Sequence, residues 1–106
     1  MSLPMFIVKD GLLEQSKFVN SSLLKQTVAN AINTMFIESQ EVFTVYELYE
    51  KMQELDSTNK IVFCRNTLYT FVNNLVEHDL LLRFQDGTSK LPSYFFKLNF
   101  SQDELN

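Results

Sequence analysis

From residue 22 onward the apolar positions fall into three helical stripes followed by two extended runs. Leu23, Leu24, Val28, Ala29, Ile32, Met35 and Phe36 recur at the spacing of one helix face as far as about Glu38. Lys25, Gln26, Asn30 and Asn33 take the opposite face, and Ser21 or Ser22 supplies an N-cap. After a brief extended Val42-Phe43, the run Thr44-Val45-Tyr46-Glu47 has the form of a capping box: the Thr hydroxyl accepts from the amide three residues on, and the Glu side chain reaches back. Val45, Leu48, Tyr49 and Met52 stripe the helix that follows, which ends with Glu54 or Leu55 ahead of the polar loop Asp56-Ser57-Thr58-Asn59-Lys60. The third helix runs from Cys64 or Arg65 to His78. Leu68, Phe71, Val72 and Leu75 form its buried stripe, and Arg65, Asn66, Tyr69, Thr70, Asn73 and Glu77 lie on its other faces.

Leu80-Leu81-Leu82-Arg83-Phe84 then reads as a strand, and Ser93-Tyr94-Phe95-Phe96-Lys97-Leu98 as its partner. An Asp86-Gly87 turn signal lies between them, so the pair forms a hairpin with an extended tip. At the other end, Met5-Phe6-Ile7-Val8 is a short strand ahead of the turn signal Asp10-Gly11, with Leu12-Leu13 and Phe18-Val19 beyond. The chain divides into an N-terminal arm (1–20), a folded domain (21–98) and an acidic, frayed tail (99–106). The arm either caps its own core or joins two subunits. The expected class is α+β, mainly α: a winged helix-turn-helix of three helices with a C-terminal β-hairpin wing.

Composition narrows the function classes. A chain of 106 residues suits one domain, and 10 Phe with no Trp predict a phenylalanine-rich core. Two Gly and two Pro are too few for an all-β design with many tight turns. A single cysteine, Cys64, excludes an internal disulfide or a multi-cysteine metal site and fits a reducing compartment. No apolar run reaches bilayer length, and Met1 to Lys9 is too short and too weakly basic for a signal peptide, so a cytoplasmic protein is expected. The net charge of −4 is unevenly spread. Residues 1–59 hold four basic and eight acidic side chains, whereas 60–98 hold five basic and three acidic.

The run Thr67-Leu68-Tyr69-Thr70-Phe71-Val72-Asn73-Asn74-Leu75-Val76-Glu77-His78-Asp79-Leu80-Leu81 resembles the recognition helix of ferric-uptake-type regulators, which opens Thr-Val-Tyr-Arg and closes Glu-Glu-Ala-Gly-Leu. Thr44-Val45-Tyr46-Glu47-Leu48-Tyr49-Glu50 is similar to that family's second helix. The likeness spans about residues 21–98, and PadR-like and antibiotic-resistance repressors share the same general pattern. The family's Arg falls on Thr70, its Gly falls on Asp79, and its metal-binding dimerisation domain is absent. The resemblance implies a DNA-binding transcription regulator that works as a homodimer, through the arm or the first helix, on double-stranded DNA.

On that expectation Arg65, Asn66, Tyr69, Thr70 and Asn73 read DNA. Arg pairs with guanine and Asn with adenine, while Tyr and Thr hydroxyls suit phosphates. Arg83 and Lys90 are phosphate candidates on the wing, and Lys60 anchors the preceding loop. Some of these and their neighbours have plainer readings: Tyr69 covers the groove between two helices, Arg65 is a helix-start surface charge, Asn73 and Asn74 are inert surface residues, and Cys64 is a small buried residue. A Cys64–His78 catalytic pair fails, because fourteen residues of helix span about 21 Å. No glycine-rich phosphate loop, nucleophile elbow or metal spacing is present, so neither an enzyme nor a cofactor is expected. The acidic total keeps one rival open: a winged-helix protein-interaction module without DNA binding.

Overall fold

The computed structural model describes residues 3–17, 22–56, 64–86 and 93–99. The N-terminal segment folds as an antiparallel hairpin, β1 (Phe6–Lys9) on β2 (Leu12–Gln15), with Lys9 opposite Leu12. Asp10 and Gly11 join the strands with φ of 55° and 78°, the pair of positive values that a type I′ turn demands. Strand alternation sends Phe6 and Leu13 inward. Both are buried, and the Phe6 ring meets Phe71 edge-on at 6.1 Å. The segment therefore covers this chain's own core.

Helix α1 (Leu23–Ile37) starts at Ser22, whose Oγ accepts from the Lys25 amide at 3.1 Å. Val28, Ala29, Ala31, Ile32 and Met35 are buried, while Leu23 at the first turn is exposed. After the short strand β3 (Val42–Phe43) comes α2 (Val45–Leu55). Its capping box is complete: the Glu47 amide donates to Thr44 Oγ1 at 3.1 Å, and the Thr44 amide donates to Glu47 Oε1 at 3.0 Å. Helix α3 (Arg65–Glu77) packs against α2 and leads into β4 (Leu81–Asp86) and β5 (Ser93–Leu98).

Helices α1 and α3 end alike. Ser39 (φ 67°) and Asp79 (φ 62°) are left-handed, and the next residue's amide reaches back to the carbonyl five positions earlier. These bonds are Gln40 N to Met35 O at 2.8 Å and Leu80 N to Leu75 O at 2.9 Å. Leu80, expected to open the strand, is thus held in the closing turn of α3. The strand runs instead from Leu81 to Asp86.

The second sheet is ordered β3-β5-β4, all antiparallel, with Phe43 opposite Phe96 and Leu81 opposite Leu98. Buried Phe43, Phe96 and Leu81 close the core beneath it. Among the described residues the fold is therefore α+β, with three helices and two small antiparallel sheets.

Two asparagine side chains attach the N-terminal segment to the helices. Asn33 on α1 accepts from the Leu13 amide and donates to the Leu13 carbonyl, each at 2.9 Å. Asn74 on α3 accepts from the Met5 amide at 2.9 Å and donates to the Leu3 carbonyl at 3.0 Å. Each primary amide stands in for a strand partner, pairing one donor and one acceptor of the backbone. Asn74 is only 5% exposed, so the surface role open to it from sequence is replaced by a structural one.

Candidate nucleic-acid interface

Helix α3 has two sides. Leu68, Phe71, Val72, Asn74 and Leu75 are buried, and Arg65, Asn66, Tyr69, Thr70 and Asn73 are exposed. The five lie within nine successive positions, so their side chains share a strip about 12 Å long at 1.5 Å per residue. Tyr69 is 45% exposed. The Thr70 hydroxyl is 3.4 Å from the Asn66 carbonyl, a long local bond. Glu77 is exposed at the far end of the helix. Met5, Thr70, Asn73, Asn74 and Glu77 line an open hollow of about 290 Å³ beside this strip. The Asn74 amide in its wall is already committed to the backbone.

Arg65 is the first residue of α3, where a cation opposes the helix dipole. Its guanidinium carbon sits over the Tyr46 ring, 5.8 Å from the centroid. Tyr46 belongs to the first turn of α2 and is 55% exposed. Among the described residues Arg65 has no carboxylate partner, whereas Lys51 bridges Glu38 at 2.9 Å and Glu54 at 3.3 Å. The hydrogen bond to Glu38 raises the Lys51 ammonium above its ordinary pKa.

Cys64 precedes α3 as its N-cap residue and is exposed, which corrects its expected burial. Its Sγ lies 3.5 Å from the Thr67 hydroxyl, and that contact holds the thiol below its ordinary pKa.

On the sheet, pleat and register place Arg83 opposite buried Phe96, hence on the side facing the helices, and it is exposed. Lys97, opposite Val42 and Leu82, lies on the outer side. Lys60 and Lys90 lie outside the described residues. The structure thus gathers five of the expected residues on α3 and sets Arg83 on a neighbouring strand. Sequence reasoning passed over Tyr46, which is off the apolar stripe Val45–Leu48–Met52 and inside the capping box. Its position beside that stripe was the available signal.

Among the described residues no three His, Cys, Asp or Glu side chains are grouped to hold a metal, and no helix is long and apolar enough to cross a membrane. Comparison with protein-family models, curated proteins and solved structures finds no match.

Proposed function

We propose that this chain is a DNA-binding transcription regulator of the winged helix-turn-helix kind, with α3 in the major groove and the β4–β5 hairpin as a wing on the backbone. One observation carries the proposal: the exposed strip Arg65, Asn66, Tyr69, Thr70 and Asn73 on a helix whose other side is buried. Arg65, Asn66 and Asn73 supply the fork and amide groups that match guanine and adenine edges. Tyr69 and Thr70 supply hydroxyls for phosphates, and Arg83, with Lys60 and Lys90, supplies cations for the backbone. The element order supports the wing: helix, strand, capped helix, helix and hairpin, with β3 paired to β5. So does Asp79, which occupies the glycine position of the ferric-uptake-type pattern and has φ 62°. Two copies reading two half-sites complete the proposal. With Phe6 and Leu13 spent on the core, α1 is the more open of the two contacts considered for that pairing.

The test is fluorescence anisotropy on pooled random duplexes, titrated across salt. Binding at low ionic strength is expected, with log K falling against log salt at a slope of about −3 for the three backbone cations of one copy, and about twice that for a pair. Absence of salt-sensitive binding to any duplex sinks the proposal.

A second reading rests on a separate observation. Exposed Glu50 and Glu54 lie along α2, and Tyr46 and Tyr69 are exposed beside Arg65. Tyr and Arg anchor protein interfaces, and acidic residues repel phosphate. The rival is a protein-interaction module. Reversing the charge of Arg65 and Lys90 one at a time separates the two: the Lys90 reversal is expected to weaken DNA binding and to spare a protein interface anchored at Arg65, Tyr46 and Tyr69.

A further inference from the structure

We infer that Tyr46 is a positioning residue that holds the Arg65 guanidinium ready for an anionic or guanine partner. This rests on the DNA-binding proposal and adds to it a second helix and a named role. The pair spans two elements: Tyr46 is in the first turn of α2, and Arg65 is the first residue of α3. The guanidinium carbon lies 5.8 Å from the ring centroid, inside the range where the ring's quadrupole attracts a cation. The contact is to a ring and not to a carboxylate, so it leaves the charge of the guanidinium uncompensated, and its in-plane N–H donors are the groups that grip phosphate or guanine bidentately. Arg65 engages no carboxylate among the described residues, so its charge is not neutralised as that of Lys51 is. Its position at a helix N-terminus works against α3, so helix stability does not account for it. A free arginine loses much rotamer freedom when it docks, and an arginine already seated on a ring loses less.

Two measurements on the full chain test this. In the free protein, ring current from Tyr46 shifts the Arg65 δ-methylene protons upfield. The shift is expected in the wild type and in Tyr46→Phe, and is expected to vanish in Tyr46→Ala. Equal Arg65 shifts in wild type and Tyr46→Ala overturn the positioning role without reference to DNA. In duplex binding, Tyr46→Ala is expected to weaken affinity about two- to fivefold. Tyr46→Phe should stay within about twofold of wild type, and Tyr46→Ala should add nothing once Arg65→Ala is present. Additive losses show that Tyr46 acts independently of Arg65, and a Tyr46→Phe as weak as Tyr46→Ala reassigns the effect to the Tyr46 hydroxyl; either overturns the inference. A wild type that binds no duplex sinks the DNA proposal and the inference with it. A wild type and Tyr46→Ala that bind equally sink the inference alone. Tyr46 is exposed, so unchanged thermal melting of Tyr46→Ala separates these losses from unfolding.

Discussion

Asn74→Ala tests whether the N-terminal segment is part of the folded unit. The wild-type side chain is 5% exposed and spans the Leu3 carbonyl and the Met5 amide at 3.0 and 2.9 Å. Each bond contributes about 1 kcal/mol net, so truncation removes about 2 kcal/mol. The loss is limited at one end, because Leu3 is 61% exposed and water reaches its carbonyl. It is increased at the other, because Met5 packs against the core beside buried Phe6. For a domain of this size about 2 kcal/mol corresponds to a fall in Tm of about 8–16 °C. Chemical denaturation should give the same loss with an unchanged m-value, since the surface exposed on full unfolding is the same. Hydrogen exchange localises the effect: the amides in the middle of α2 should lose only the protection that a global loss of about 2 kcal/mol removes, while the Met5 amide, stripped of its own acceptor, should exchange by local opening. Asn74→Asp keeps the acceptor for Met5 but turns a carboxylate oxygen toward the Leu3 carbonyl, and should be no more stable than Asn74→Ala. A variant that melts within 2 °C of wild type, or keeps slow exchange at Met5, refutes the clamp.

Three further outcomes follow from the same geometry. Asp79→Gly and Ser39→Gly each relieve a left-handed non-glycine residue and should stabilise by about 0.5–1 kcal/mol, read as a higher Tm. Thr44→Ala removes the acceptor for the Glu47 amide and should cost about 1–2 kcal/mol in urea denaturation. Cys64 should alkylate with a pH midpoint below that of a free thiol, and Thr67→Val should move the midpoint up, since the hydroxyl favours the thiolate; a midpoint indifferent to Thr67→Val refutes that cause.

What was legible from sequence is what periodicity and local chemistry encode. The stripe Leu68–Phe71–Val72–Leu75 locates α3 and its exposed strip, because a helix face repeats on the scale of the pattern. Thr44 and Glu47 mark the start of α2, because the box closes within four residues. Asn33 and Asn74 were not legible. Their partners lie 20, 69 and 71 positions away, and an amide bridging a distant backbone leaves no trace in spacing. Cys64 was placed inside because small apolar residues usually are, yet it stands at the N-cap of α3 and is exposed there. The pairing of Tyr46 with Arg65 was hidden for a third reason: the two residues sit on different helices, and a contact between helices leaves no mark in the spacing along either one.

Charge is where the DNA proposal is most constrained, and the structure sharpens the constraint. Helix α3 holds one cation, Arg65, and one anion, Glu77, about 18 Å apart at 1.5 Å per residue. Beyond a Debye length of about 8 Å at physiological salt they act separately, so the N-terminal half of the helix is locally positive even though the helix is neutral. Helix α2 is acidic: neutral Thr44 and Gln40 hold Glu47 in place without offsetting its charge, and the one cation Lys51 is shared by Glu38 and Glu54. Exposed Glu50 adds to that repulsion. On the DNA proposal, few phosphate-binding cations limit the share of affinity from counterion release, and discrimination between sites would rest on base edges met by Arg65, Asn66 and Asn73. On that proposal the domain is expected to bind arbitrary DNA weakly and to gain affinity steeply at the right site. That also explains why a pre-seated Arg65 matters: where contacts are few, the entropy spent ordering each one is a larger share of the total.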